Sequence, residues 1–374
     1  MRLLYCVAGM VVFLRNSMRL LLMTVDFPPQ TGGVARYLDA LATYFRDEIT
    51  VIAPARSDAN DATSAYPIQR ETLFATGSPA WWPMIRILAL RSEEYDVAIV
   101  SHVLPVGTAA MISKWITKKP YVVIVHGLDL VLAKRSVLKK WIAGTVLKNA
   151  KLVVANSRSL EAEVRRDFGV ERTVAVYPVV VSNPTRPSAP RHGTKLLTVS
   201  RLVARKGHLR VLDALKLLAE RNQLGDISYE IIGDGPMRDD IEKAIQDRGL
   251  QHVVTMVTKA SNADVTHAFE QSDIFVMPTV GDAGDREGFG TVYIEAAAQG
   301  VPSIATNLPG VDEAVIRDKT GLLIADGDVP ALADAIHRLA SDEGLRYRLG
   351  TAAKERALSE FRPDVQFAKL RSVL

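Results

Sequence analysis

Short unbroken runs of branched apolar residues recur along this chain, with helix-length stretches between them. The runs are Leu20–Val25, Ile49–Ala53, Val97–Ser101, Tyr121–Val125, Leu152–Ala155 and Val174–Tyr177, then Leu196–Ser200, Tyr229–Ile232, Val253–Val257, Ile274–Met277 and Ser303–Ala305. They are continuous and do not alternate with polar residues, which is the pattern of parallel strands covered on both faces by helices. Between the two series lies Val181-Ser182-Asn183-Pro184-Thr185-Arg186-Pro187-Ser188-Ala189-Pro190. Three prolines in seven residues cannot sit in a central strand or helix, so this stretch reads as a linker. The expected fold class is α/β. The expected domains are 18–182 and 193–355, with a linker at 183–192 and a tail, 356–374, read as a last helix interrupted by Pro363. A chain of 374 residues has room for two cores.

Composition narrows the class. With 48% hydrophobic and 24% charged residues the chain is globular and not disordered. Its single cysteine, Cys6, makes neither an intramolecular disulfide nor a thiolate zinc site, as fits a reducing cytoplasm. Residues 1–182 hold 22 basic and 15 acidic side chains, against 24 and 27 in the remainder. A basic first half and a mildly acidic second half imply that only the first meets an anionic surface. No apolar run reaches the about 18 residues that a spanning helix needs. Met18-Arg19-Leu20-Leu21 repeats Met1-Arg2-Leu3-Leu4, so residues 1–17 read as a dispensable extension from an upstream start.

Five segments carry candidate chemistry, each at a strand-to-helix turn. Phe27-Pro28-Pro29-Gln30-Thr31-Gly32-Gly33 opens a helix after the first strand, where glycines let the backbone approach a ligand and the helix N-terminus favours negative charge. His126-Gly127-Leu128-Asp129 lies at the carboxyl end of a strand, the edge where open α/β sheets bind ligands. Arg201 and Lys206 flank the first turn of the second domain, and two cations there can neutralise a diphosphate. Ile232-Gly233-Asp234-Gly235-Pro236 lacks the third glycine of a dinucleotide fingerprint and reads as a nucleotide-proximal turn. Glu287-Gly288-Phe289-Gly290-Thr291-Val292-Tyr293-Ile294-Glu295 is the strongest. A carboxylate in a glycine-rich loop is followed by a second in the next helix, within an apolar stretch where a surface Glu would be out of place. Asp326-Gly327-Asp328 has the wording of an Asp-x-Asp metal motif, but it precedes Pro330 and a helix and is expected to cap that helix. No obligatory metal or cofactor is expected.

Together these segments resemble the retaining GT-B glycosyltransferases of family 4, over nearly all of the chain from Met18. Asp26-Phe27-Pro28-Pro29-x-x-Gly32-Gly33 and Glu287-Gly288-Phe289-Gly290-x-Val292-Tyr293-x-Glu295 look most like the phosphatidyl-myo-inositol mannosyltransferases. The resemblance implies two Rossmann-like domains facing each other across a cleft, with a C-terminal helix crossing back to the first. It implies transfer of a hexose, mannose from GDP-mannose in the best-matching branch, to a lipid-linked or oligosaccharide acceptor. It also implies roles. Gly32 and Gly33 meet the donor phosphates, and His126 faces the donor sugar. Arg201 and Lys206 bind the leaving diphosphate. Glu287 holds the sugar hydroxyls with the amides of Phe289 and Gly290, Gly233 and Gly235 shape the nucleotide side, and Glu295 binds the ribose. His126, Arg201, Lys206 and Glu287 are thus the expected catalytic set.

Lys134–Lys151 contains six cations and no acid, with Val137, Leu138, Trp141 and Ile142 at helical spacing. Basic charge beside a tryptophan suits anionic lipid, and Trp81-Trp82 is a second such contact. The expected setting is cytoplasmic, peripheral on the inner face of the membrane, with no nucleic-acid partner. The rival readings are a UDP-sugar-dependent transferase, a GT-B nucleotide-sugar epimerase or hydrolase, a non-catalytic sugar binder, and an NAD-dependent dehydrogenase disfavoured by the incomplete glycine fingerprint.

Overall fold

The computed structural model describes residues 18–181, 193–281 and 287–374, and the backbone of 5–7 and 10–12. The expected linker at 183–192 lies outside the described residues. Within the first seventeen residues, β1 (Tyr5–Val7) and β2 (Met10–Val12) pair antiparallel as a sheet of their own.

The first sheet is built from β3 (Leu20–Met23), β4 (Ile49–Pro54), β5 (Ile68–Glu71), β6 (Val97–Ser101), β7 (Tyr121–Val125), β8 (Leu152–Ala155) and β9 (Thr173–Ala175). All its pairs are parallel, in the order β5-β4-β3-β6-β7-β8-β9. The order reverses at β3, which makes the carboxyl end of that strand a topological switch point. Met23 is in register with both Ile52 and Val100, so the loops after β3 and β6 leave the sheet at the same edge. One face is covered by α1 (Gly33–Tyr44). The other is covered by α2 (Trp82–Leu90), α3 (Thr108–Thr117), α4 (Leu128–Lys134), α5 (Val137–Asn149) and α6 (Arg158–Phe168).

The second sheet repeats the plan with β10 (Thr194–Val199), β11 (Ile227–Ile232), β12 (Val254–Val257), β13 (Ile274–Met277), β14 (Ser303–Thr306) and β15 (Gly321–Ile324), in the parallel order β12-β11-β10-β13-β14-β15. Helices α7 (His208–Glu220), α8 (Arg238–Asp247) and α12 (Val329–Ser341) pack on one face, and α9 (Asn262–Glu270), α10 (Thr291–Ala298) and α11 (Val311–Ala314) on the other. Local chemistry sets the helix starts. Ser157 caps α6 through Leu160 N at 3.2 Å, Ser261 and Asp264 form a reciprocal capping box on α9, and Asp328 caps α12 through Ala331 N at 2.9 Å, as expected for that aspartate.

The tail crosses back. Helix α13 (Glu343–Glu360) stays with the second sheet, and the chain breaks at Phe361-Arg362 before α14 (Pro363–Arg371), whose first residue is Pro363. Phe367 and Leu370 of α14 are buried in the core of the first half, with Phe367 edge-on to Tyr37 at 5.6 Å. The two crossings of the chain are bonded together: Val180 N donates to Phe361 O at 2.8 Å, and Tyr177 N to Gln366 Oε1 at 3.0 Å.

Several expectations needed adjustment. Strands β5 and β15 were not among the sequence runs. The run read as Leu196–Ser200 is strand only to Val199, which leaves Arg201 two residues beyond the end of β10. Lys134–Lys151 is two helices, because α4 ends at Lys134 and Ser136 opens α5. Lys134 is engaged by Glu163 and Asp167 at 2.6 and 2.8 Å, and Lys151 by the Leu374 carbonyl. Leu147 is core and Ile142 packs against it, whereas Val137, Leu138 and Trp141 are exposed.

Candidate active site

Two helices that begin without a capping side chain meet between the halves. Gly32 precedes α1 and Gly290 precedes α10, and neither helix has a side-chain acceptor at its start. The ends touch: a Cβ placed on Gly33 would stand 3.3 Å from Thr291 Oγ1. Their unpaired amides and macrodipoles direct partial positive charge at one place, the arrangement that favours an anion. Gly288, in the same loop as Gly290, lies so close to the first half that a Cβ there would collide with the His126 carbonyl. The loop is anchored from below by Phe289, whose ring is buried against Tyr177 and Phe361 at 5.2 and 5.6 Å.

Charged side chains complete this pocket. Glu287 accepts from Lys206 Nζ and from Arg205 Nη1, each at 2.5 Å and on the same carboxylate oxygen. Burial pushes the Glu287 carboxyl up, but Lys206 and Arg205 outweigh it and hold its pKa at about 2. The Lys206 ammonium is buried, and burial draws its pKa below the ordinary lysine range against the pull of Glu287. Arg201 is exposed at the rim and adds positive charge facing Lys206. Its loop rests on the glycine turn after β11. Leu202 N donates to Asp234 O at 2.9 Å, and a side chain at Gly233 would run into the Ser200 carbonyl. Gly233 and Gly235 therefore shape the bed under Arg201 through close backbone packing.

Opposite, at the carboxyl edge of the first sheet, four residues form a hydrogen-bonded chain. Asp26 Oδ2 meets His102 Nε2 at 3.2 Å, His102 Nδ1 meets Ser101 Oγ at 3.3 Å, and Ser101 Oγ meets His126 Nε2 at 2.9 Å. Burial opposes a charge on His102, yet the bond to Asp26 and the nearby carboxylates prevail and raise its pKa. Burial, followed by the charge of His102, drives His126 down to about 3 and keeps it neutral. Asp129 accepts from the amides of His126 and Gly127 at 3.0 and 2.9 Å and so holds the turn. Glu295 joins across the cleft, its Oε1 bonded to Arg36 Nη1 of α1 at 2.8 Å.

The structure thus brings His126, Glu287, Lys206, Gly33, Gly290 and Glu295 to one cleft, with Arg201 at its rim. Sequence reasoning passed over Arg205, Arg36, Ser101 and the Asp26–His102 pair. Arg205 was visible beside Lys206, and His102 follows the apolar run of β6 at the ligand-binding edge. Asp326 and Asp328 are occupied by Arg210, the Gly281 amide and the start of α12. Among the described residues no group of three His, Cys, Asp or Glu side chains is arranged to hold a metal ion.

Residues 31–183 match the family described as Glycosyltransferase Family 4, and residues 179–356 that described as Glycosyl transferases group 1. The chain is a GT-B glycosyltransferase of family 4. Its similar relatives include the GDP-mannose-dependent alpha-(1-6)-phosphatidylinositol monomannoside mannosyltransferase of Mycolicibacterium smegmatis, 28% identical over 95% of this chain and 98% of that protein. The Mycobacterium tuberculosis protein of the same name is 29% identical over the same shares. Among solved structures, Anabaena HepE in complex with UDP and glucose superposes with a TM-score of 0.80 at 22% identity, covering 96% of this chain and 100% of that one. Sucrose-phosphate synthase from Thermosynechococcus elongatus gives 0.76 at 20%, covering 95% and 98%. The GT-B fold places the cleft between two Rossmann-like halves, as expected from the motifs.

Proposed function

We propose that this family 4 transferase moves a mannosyl group from GDP-mannose, with retention of anomeric configuration, to a lipid-linked or oligosaccharide acceptor at an anionic membrane surface. The observation that carries the reading is the meeting of two uncapped helix N-termini beside Lys206 and Arg205. An anionic diphosphate fits that charge, and in this reading Glu287 and Glu295 accept the sugar and ribose hydroxyls. As the anomeric C–O bond to the diphosphate breaks, negative charge grows on the leaving oxygen, and preorganised cations and amides lower the barrier. The acceptor hydroxyl attacks from the same face and passes its proton to the departing diphosphate. His126, neutral and held by Ser101, lines the sugar side. The relatives' names support GDP-mannose as donor.

No helix among the described residues is long and apolar enough to cross a membrane. The exposed Val137, Leu138 and Trp141 of α5, with exposed Lys139, Lys140 and Lys148, support peripheral contact instead.

The test is a thermal-shift panel of GDP-mannose, UDP-glucose and ADP-glucose, followed by transfer to an anionic lipid extract. A rise in melting temperature with GDP-mannose alone, and mannosylated lipid in the product, are expected. Stabilisation by UDP-glucose alone would move the donor to a UDP-sugar, and nucleotide release without any transferred sugar would favour hydrolysis or epimerisation.

A further inference from the structure

Glu295 is a charged residue on an otherwise apolar helix, and its two oxygens are in different states. Oε1 is held at 2.8 Å by Arg36 Nη1, a residue of the opposite half. Oε2 is buried and, among the described residues, has no hydrogen-bond partner. An unsatisfied buried carboxylate oxygen is unfavourable until a donor reaches it. The other terminal nitrogen of Arg36 donates to Asn262 Oδ1 at 3.2 Å, so one guanidinium spans from α1 to both α10 and α9. The planar fork of the guanidinium is shared between the two partners, so Asn262 fixes the direction from which Nη1 meets the single carboxylate oxygen Oε1. Arg36 lies one turn into α1, three residues beyond the amide end at Gly33 that faces Thr291.

We infer that Arg36 is a donor-positioning residue, which reaches across the cleft to fix the Glu295 carboxylate so that Oε2 accepts a ribose hydroxyl of the bound nucleotide. The inference rests on reading Glu295 as the ribose acceptor and adds the side chain that orients it. Arg36 acts through Glu295 and couples closure of the two halves to the presence of a ribose. A nucleotide without ribose hydroxyls leaves Oε2 unpaired and gains nothing from the closed arrangement.

The experiment is calorimetric titration of the full-length protein with GDP and with 2′,3′-dideoxy-GDP, with UDP and its dideoxy counterpart run in parallel. Wild type, Arg36→Gln, Arg36→Lys and Glu295→Ala are compared, each checked for an unchanged thermal unfolding transition. Wild type should prefer the ribonucleotide by about tenfold, the size of one charge-assisted hydrogen bond. Arg36→Gln should reduce that preference to about twofold, and Arg36→Lys, which keeps a donor and the charge but not the fork, should recover part of it. Undiminished preference in Arg36→Gln overturns the inference. So does equal tightening of both nucleotides, the signature of a latch that merely competes for Glu295. If wild type shows no preference, or Glu295→Ala keeps it, the ribose reading of Glu295 fails and this inference falls with it.

Discussion

Lys206 and Glu287 are bonded to each other at 2.5 Å, and Arg205 meets the same carboxylate oxygen. On the proposed reading, a leaving diphosphate would meet an assembled cluster of two cations and one anion, with Arg201 outside it. Replacing Lys206 with alanine would then remove a preorganised contact to developing charge. Transfer should fall by about a hundred- to a thousand-fold. The check is steady-state kinetics with both substrates, with the loss carried in kcat. Arg201→Ala, at the exposed rim, should weaken donor binding and appear mainly in the donor KM.

Much of the fold was legible because buried parallel strands announce themselves as continuous Val/Ile runs, and both sheets follow from them. Of the two strands absent from those runs, β15 is a buried apolar Gly321-Leu322-Leu323-Ile324 as long as β13, and only β5 has a physical reason to be hidden. β5 reads Ile68-Gln69-Arg70-Glu71 and is only half-buried at the sheet edge, so it carries no apolar run. The site was legible where glycines and charges fall at strand-to-helix turns. Arg36 and the Asp26–His102 pair were not, because Arg36 meets Glu295, Asp26 meets His102 and Ser101 meets His126 only when β3, β6 and β7 are aligned and the two halves face each other. The glycines of the turn after β11 were assigned to the donor, whereas close packing on Ser200 and Leu202 already explains why no side chain fits there.

The depressed pKa of Glu287 makes its contribution to stability dependent on pH. In the unfolded chain a glutamate titrates near 4.3; in the fold this one is held at about 2. Between those values the unfolded state binds more protons, so the stabilisation is complete above about pH 5 and is lost as pH falls through that window. Glu287→Gln removes the carboxylate that buried Lys206 shares with Arg205 and should cost about 3–5 kcal/mol at pH 7. The gap in denaturation midpoint between wild type and variant should narrow steadily from pH 5 to pH 2.5. A gap independent of pH would show that Glu287 is not charged in the fold.

His126 is driven down to about 3 by burial and by the charge of His102. It should stay neutral throughout the range in which the protein is folded, while His102, raised by Asp26, protonates first as pH falls. Imidazole nitrogen shifts in a histidine-labelled sample, assigned with His102→Gln and His126→Gln, check both statements. In Asp26→Asn the His102 transition should move to lower pH, because the partner that sustains its charge is gone.

Glu313 of α11 reaches across the hinge to the start of α6. Its carboxylate accepts from Arg158 N at 2.8 Å, Ser159 N at 2.7 Å and the Tyr177 hydroxyl at 2.7 Å. It is thus a helix cap supplied by the other half, with two bonds coupling α6 and one coupling Tyr177 to the second domain. Glu313→Ala should destabilise the protein by about 1–2 kcal/mol, as loss of a capping acceptor does. It should also raise the radius of gyration of the nucleotide-free protein in small-angle scattering. Glu313→Gln keeps acceptor oxygen and should lie between the two.

The exposed face of α5 supplies the last expectation. Val137, Leu138 and Trp141 stand in solvent although they are among the most apolar side chains of the helix, and the buried Ala143, Val146 and Leu147 already satisfy the core. Exposed lysines at 139, 140 and 148 accompany them on the same helix. Each lysine near an anionic surface contributes about 1 kcal/mol, so reversing three of them to glutamate should lower binding to phosphatidylserine vesicles by more than about a hundred-fold at low salt. Trp141→Ser should weaken binding in both low and high salt, since it removes apolar insertion and leaves the charge. Neither change touches the core, so melting temperatures should stay within about a degree or two. Lys134, engaged by Glu163 and Asp167, gives the contrast. Its alanine variant should destabilise α4 and α6 while leaving vesicle binding nearly unchanged. Equal loss of lipid binding at Lys134 and at the exposed lysines would mean that overall positive charge, and not this helix face, governs the contact.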